Sequence, residues 1–88
     1  MYVSNMIGNT GEPVKNQFVI TGDSGEEYFQ SYSSMIVKRT PTLVLLDEKF
    51  WDYSVTTSKY RNRFLGETTA QTKAKIKSGE YILTNLNK

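Results

Sequence analysis

Six cations, Lys59, Arg61, Arg63, Lys73, Lys75 and Lys77, stand within residues 56–78 beside a single acid, Glu67. That segment carries +5, while the remaining residues hold five cations and eight acids, −3, so the overall +2 of the 88-residue chain conceals a strong asymmetry. Uneven charge of this kind is the compositional mark of an anionic partner. The stretch VTTSKYRNRFLG, residues 55–66, adds three hydroxyls, Thr56, Thr57 and Ser58, just ahead of its cations. Hydroxyls and unpaired N–H groups at a helix start supply neutral donors to a phosphate, and arginine supplies bidentate charged ones.

At about 100° per residue, Tyr60 and Phe64 stand one turn apart on a core-facing stripe with Leu65 beside them, and Lys59, Asn62 and Arg63 fall on the opposite side. The plainer reading of that side is a solvated face, which is the commoner fate of charged helix residues. Arg61 differs, because it lies against the apolar stripe and needs a partner there. Asp52, Glu67 and Asp47 are candidates for an internal ion pair, a structural role favoured over ligand binding. Further along, Lys73 and Lys77 are four apart and share a face, whereas Lys75 is turned away by about 160°. If two helices pack side by side, Lys59, Arg63, Lys73 and Lys77 form one basic ridge, with Thr57 and Ser58 at its end.

Other chemistry is poorly supplied. The chain has no cysteine and no histidine, which removes disulfides, thiolate nucleophiles, sulfur-bound metals, the commonest general base and the usual zinc ligand. An enzyme is therefore not expected, and neither is a cofactor. Asp47, Glu48 and Asp52 are hard oxygen donors, but their spacing matches no calcium loop, so no metal is expected. Phe50, Trp51, Tyr53 and Tyr60 could stack on unpaired bases, although such rings usually form the core of so small a chain. No apolar run approaches the roughly 20 residues of a membrane span, and the start MYVSNMIGNTGEP lacks a basic and apolar leader. A soluble, cytoplasmic protein with no membrane partner is expected.

The elements that must position these residues are legible in outline. Residues 1–15, with Gly8, Gly11 and Pro13 and no period, are read as a flexible arm, and residues 16–88 as a single globular domain. NQFVIT and EEYFQSY make a first hairpin about the turn at Gly22–Gly25, with Tyr28, Gln30 and Tyr32 on one face and Phe29 on the other. SMIVKR and TLVLLD make a second about Thr40–Pro41, pairing Arg39 with Thr42, Val37 with Val44 and Met35 with Leu46. EKFWDYS is a turn that packs its rings, with Trp51 an anchor between hairpin and helix. A first helix starts at Thr56–Ser58 and stops at Leu65 before Gly66. A second follows the Thr68–Gln71 capping box and leaves at Gly79. EYILTNL is a final extended piece, Tyr81 and Leu83 on one side and Ile82 on the other. The expected fold is α+β: a small antiparallel sheet of about four strands covered by two short C-terminal helices.

The segments WDYSVTTSKYRNRFLGE and IKSGEY, within residues 29–87, resemble a family of short uncharacterised proteins encoded by phages and mobile elements; residues 1–28 lie outside the likeness. The resemblance implies a phage-associated setting, in the host cytoplasm, where small proteins often bind nucleic acid or a host enzyme. It brings no catalytic or binding residues with it. Two functions follow. The first is an accessory protein that holds DNA or RNA backbone through Lys59, Arg63, Lys73, Lys77, Thr57 and Ser58. The second, close behind, is a protein-interaction module such as a phage inhibitor of a host enzyme or defence factor, or a homo-oligomer, presenting Phe29, Tyr32 and Trp51. Helix-turn-helix readout is weak, since Gln71 alone on the second helix is suited to reading bases. Mimicry of DNA is disfavoured by the basic charge.

Overall fold

The structure is a computed structural model that describes residues 1–87. Strands β1 (Tyr2–Ile7), β2 (Pro13–Thr21), β3 (Glu27–Ser31), β4 (Ser34–Arg39) and β5 (Val44–Asp47) precede helices α1 (Val55–Leu65) and α2 (Thr69–Ser78), and β6 (Tyr81–Thr84) ends the fold. The six strands form one sheet in sequence order, β1 to β5 antiparallel and β6 parallel to β5. A parallel neighbour requires a crossover from one end of the sheet to the other, and the α1–α2 pair is that crossover. The domain is thus α+β, with a mixed sheet of six strands where about four antiparallel ones were expected.

The additional strands are β1, from the segment expected to be a flexible arm, and β6, from the expected final extended piece, which joins the sheet beside β5. The supposed arm pairs with β2 from Tyr2↔Thr21 to Ile7↔Pro13 through a bulge at Asn5–Ile7, and Met6 reaches the core. The glycines of this segment serve the turn between β1 and β2, not a flexible arm: the Gly8 N–H donates to Glu12 O at 2.7 Å and Gly11 adopts φ 83°. Tyr32 was placed in a strand but is a turn residue at φ 58°, its N–H donating to Asn16 O at 2.7 Å. The second hairpin is displaced by two residues from the expected register, with Val37 opposite Leu46 and Arg39 opposite Val44. The cause is Thr40, whose Oγ1 accepts the N–H of Leu43 at 3.0 Å and of Thr42 at 3.3 Å, widening the loop to Thr40–Leu43. A shift of two preserves faces, so the core prediction survives the error.

Cross-strand partners share a face, which defines two surfaces. The row Ser4–Val19–Phe29–Val37–Leu46–Leu83 lies under the helices, and the row Val3–Ile20–Tyr28–Lys38–Leu45–Ile82 lies on the uncovered side. A bulge in β4 turns the consecutive residues Ile36 and Val37 into one core, with Phe29, Leu46 and Tyr81. Tyr60, Phe64, Leu65, Trp51, Phe50 and Ile76 close it from above. Phe64 stacks on Phe29 with ring centroids 5.9 Å apart, the contact that docks α1. Burial of each such ring stabilises the fold by about 1.5–3 kcal/mol.

Both helices have satisfied ends. α1 begins one residue ahead of expectation because Ser54 caps it, its Oγ accepting the Thr57 N–H at 3.1 Å. Gly66, at φ 71°, returns its N–H to Asn62 O at 2.8 Å, a left-handed exit that a side chain would strain. α2 carries the full reciprocal capping box between Thr68 and Gln71. Arg39 adds a tertiary C-cap: it donates to Phe64 O at 3.2 Å, lies 4.3 Å from the centre of that ring, and is itself paired with Glu27 at 2.8 Å.

Candidate nucleic-acid interface

The acids packed against the helical layer, Asp47, Asp52 and Glu67, are engaged within the domain, and this decides which nearby cations stay available. Arg61 is fully buried beneath α1. It donates to the backbone carbonyl of Trp51, to Asp52 Oδ1 at 3.0 Å, to Asn62 Oδ1 at 2.9 Å and to Thr69 Oγ1 at 2.8 Å, with its guanidinium 5.0 Å from the Trp51 ring centre. The three candidate partners are thereby separated, since Asp52 takes the role. Asp47 instead accepts the N–H groups of Phe50 at 2.9 Å, Lys49 at 3.1 Å and Leu86 at 2.8 Å, organising the turn after β5 and the chain beyond β6. Glu67 binds Lys75 at 2.8 Å, the Tyr81 hydroxyl at 2.8 Å and the Thr72 hydroxyl at 2.6 Å.

Titration follows the same contacts. Burial works to raise the pKa of Asp52, but the bonds from Ser58 and Arg61 and the nearby charges of Arg61 and Lys73 outweigh it and hold the carboxyl below its ordinary value. Glu67 is lowered likewise, burial being overcome by the bonds from Lys75, Thr72 and Tyr81. In Asp47 the backbone N–H donors overcome burial. The bond to Glu67 raises Lys75, and burial followed by Glu67 raises Tyr81.

What remains on the helical layer is positive. Lys59 and Arg63 stand one turn apart on α1, Lys73 and Lys77 one turn apart on α2, and all four are exposed. None forms an ion pair among the described residues. Lys59 and Arg63 flank Tyr60 at 5.3 and 5.7 Å from its ring centre, and Arg63 donates to Ile7 O at 2.6 Å, which tilts it toward β1. The helices adjoin where Thr69 receives bonds from Arg61 and Asn62. Beside the start of α1 a shallow groove of about 670 Å³ runs between Asp52, Tyr53, Val55, Ser58, Lys59 and Asn62. Tyr53 lies edge-on to Phe50 at 5.3 Å and keeps an exposed flank.

Two expected phosphate ligands change their role. Thr57 is fully buried, its Oγ1 sharing a hydrogen bond of 2.9 Å with Ser31 Oγ across the helix–sheet interface, so it cannot meet a phosphate. Helical phase puts it under the helix, where its hydroxyl is tolerated only because Ser31 answers it. Ser58 is half-buried and donates to Asp52 at 2.5 Å, leaving it on the groove wall as part of the Arg61 network. The alternative patch is not assembled either: Phe29 is fully buried in the core, Trp51 packs against that core under Arg61, and Tyr32 stands apart in its turn. Gln71, the sole base-reading candidate on α2, has its side-chain oxygen committed to the Thr68 N–H at 2.8 Å. Sequence reasoning passed over Gln17, whose side-chain amide is fully buried with neither polar atom bonded. Its only signal was a polar residue at an inward position of NQFVIT.

No group of three or more potential metal-ligating side chains occurs among the described residues, and no helix is long and apolar enough to cross a membrane. Fold and surface together define a small two-layer α+β domain whose helical layer is cationic and whose buried acids are internally paired. The chain belongs to the Family of unknown function (DUF8033), matched over residues 1–81. The match takes in residues 1–28, which the sequence resemblance left out, so the β1–β2 hairpin is part of the family's domain. No curated protein and no solved structure matches the chain.

Proposed function

We propose that this domain binds nucleic-acid backbone across its helical layer, as an accessory protein in the cytoplasm and in the phage-type setting that the sequence resemblance implied. The observation that carries the reading is the division of labour among charges. Asp52 and Glu67, the acids packed against the helices, are engaged by Arg61 and Lys75, whereas Lys59, Arg63, Lys73 and Lys77 are exposed and form no ion pair among the described residues. Such a surface reads charge, not sequence, because phosphate contacts position a nucleic acid without discriminating its bases. The groove at the start of α1, with Tyr53 on its rim, offers a place for an unpaired base beside Lys59.

Four phosphate contacts give a slope of log K on log salt of about −3.6 on duplex DNA and about −2.8 on a single strand. Fluorescence anisotropy with labelled single-stranded DNA, RNA and duplex should therefore show affinity falling about 50- to 150-fold between 50 and 200 mM salt. Lys59→Glu combined with Lys77→Glu removes two contacts and should roughly halve the slope, leaving the thermal midpoint near that of the parent. No binding at low salt, or binding indifferent to salt, overturns the proposal.

A further inference from the structure

β1 is one of the two edge strands of the sheet, and it has few of the features that keep edge strands apart. Its side chains, Tyr2 to Ile7, include no charge and no proline. Met1, Tyr2, Val3 and Ile7 are among the exposed large hydrophobic residues, at 81, 67, 55 and 48% exposure. Within β1 only Met6 packs against the core. The one protective device is the bulge at Asn5–Ile7, and Arg63 already occupies the Ile7 carbonyl. That leaves Tyr2–Asn5 as a short, regular run without charged side chains, whose backbone groups facing away from β2 have no strand partner among the described residues.

From this we infer that the chain forms a two-fold homodimer by antiparallel pairing of β1 with β1 of a second copy, centred on Val3, so that Val3 faces its own twin and Tyr2 faces Ser4, giving one continuous twelve-stranded sheet. A second copy fits this edge for three reasons. An antiparallel strand is self-complementary about an axis normal to the sheet, so the same short run, Tyr2 to Ser4, supplies both halves of the ladder. No ionised side chain is buried in the contact or set against its own twin. And the pairing closes, whereas β1 against the opposite edge, β6, would propagate without end. The uncovered sheet face is the rival surface, but Lys38 stands in the middle of its central row, its ammonium 5.7 Å from the Tyr28 ring centre, and face-to-face packing would bury two such cations together.

The dimer has a consequence for the helical layer. An axis normal to the sheet leaves both helical layers on one side. α1 lies over β3, so the two copies of α1 stand roughly 24 Å apart, five strand spacings, with both Arg63 side chains tilted toward the axis. The pairing does not depend on the nucleic-acid reading; only this doubling of the basic tract does.

The test uses the full chain without nucleic acid. Sedimentation equilibrium up to millimolar concentration should give twice the chain mass, and Val3→Lys should weaken association by about tenfold, with unchanged far-UV circular dichroism. Because the chain has no cysteine, single substitutions report contact directly. Val3→Cys places two thiols at about 4.5–5.5 Å between Cα atoms, within disulfide range, and should cross-link under mild oxidation far faster than Ser4→Cys, whose twins are offset by two residues along the ladder, or Val55→Cys, an exposed site on α1. A monomer at all concentrations, or a dimer in which position 3 links no faster than position 55, overturns the inference.

Discussion

Asp52→Asn removes the carboxylate that faces a fully buried guanidinium and leaves Arg61 with neutral acceptors only: the Trp51 carbonyl, Asn62 Oδ1, Thr69 Oγ1 and, at 3.5 Å, Ser58 Oγ. Breaking a buried ion pair from one side costs about 3–5 kcal/mol, because the surviving charge is left unpaired away from water. The Asp52 side chain is 32% exposed, so water can approach that end of the pair, and the lower value, about 3 kcal/mol, applies. An 88-residue domain has about 4–13 kcal/mol of stability in all, so the loss is a large fraction of it. In thermal terms it is a fall of about 12–24 °C in Tm. Urea unfolding followed by Trp51 fluorescence suits the measurement, since this single tryptophan stacks on the network. Arg61→Met removes the buried charge, and in that background Asp52→Asn should cost under about 0.5 kcal/mol, because nothing is left to orphan. Equal costs in both backgrounds, or a loss under about 1 kcal/mol in the parent, would refute the reasoning.

Gln17→Met should stabilise the fold by about 1–2 kcal/mol, since it replaces a buried amide without hydrogen bonds by an apolar chain of similar length; a lower urea midpoint would show that the amide is satisfied after all. Stability should also fall at both ends of the pH scale. Asp47, Asp52 and Glu67 titrate below their ordinary 3.8, 3.8 and 4.5 in the folded state, so their contribution is whole above those values and is lost as pH drops through the lowered ones. Lys75 and Tyr81 titrate above their ordinary 10.5 and 10.0, so theirs is whole below those values and is lost as pH climbs through the raised ones. Thermal midpoints should be flat between about pH 5 and 9. Glu67→Gln should blunt both the acid and the alkaline arm, and a profile unaltered by it would contradict the Glu67–Lys75–Tyr81 assignment.

Features fixed within a few residues were open to reading from the sequence. The Thr68–Gln71 box, the left-handed exits at Gly66 and Gly79, the turn at Gly22–Gly25 and the inward side of Tyr60 and Phe64 all rest on contacts made inside a single turn or helix. The exclusion of thiol and imidazole chemistry needed only the composition. The lean of Arg61 against an apolar stripe, and hence its need for a partner, was legible too, because it follows from helical phase.

Pairings between distant segments had to wait for the tertiary structure. Residues 2–7 become a strand because β2 offers them a ladder, and Tyr81–Thr84 because the helical crossover lays them beside β5. Asp52 serves Arg61, Glu67 serves Lys75 and Asp47 serves a turn, three outcomes that depend on where each carboxylate lands in space. The same holds for Thr57, which local spacing offered to a phosphate and packing gave to Ser31. A side chain's phase is set by its own backbone, but its partner and its exposure are set by whatever the rest of the chain places opposite it.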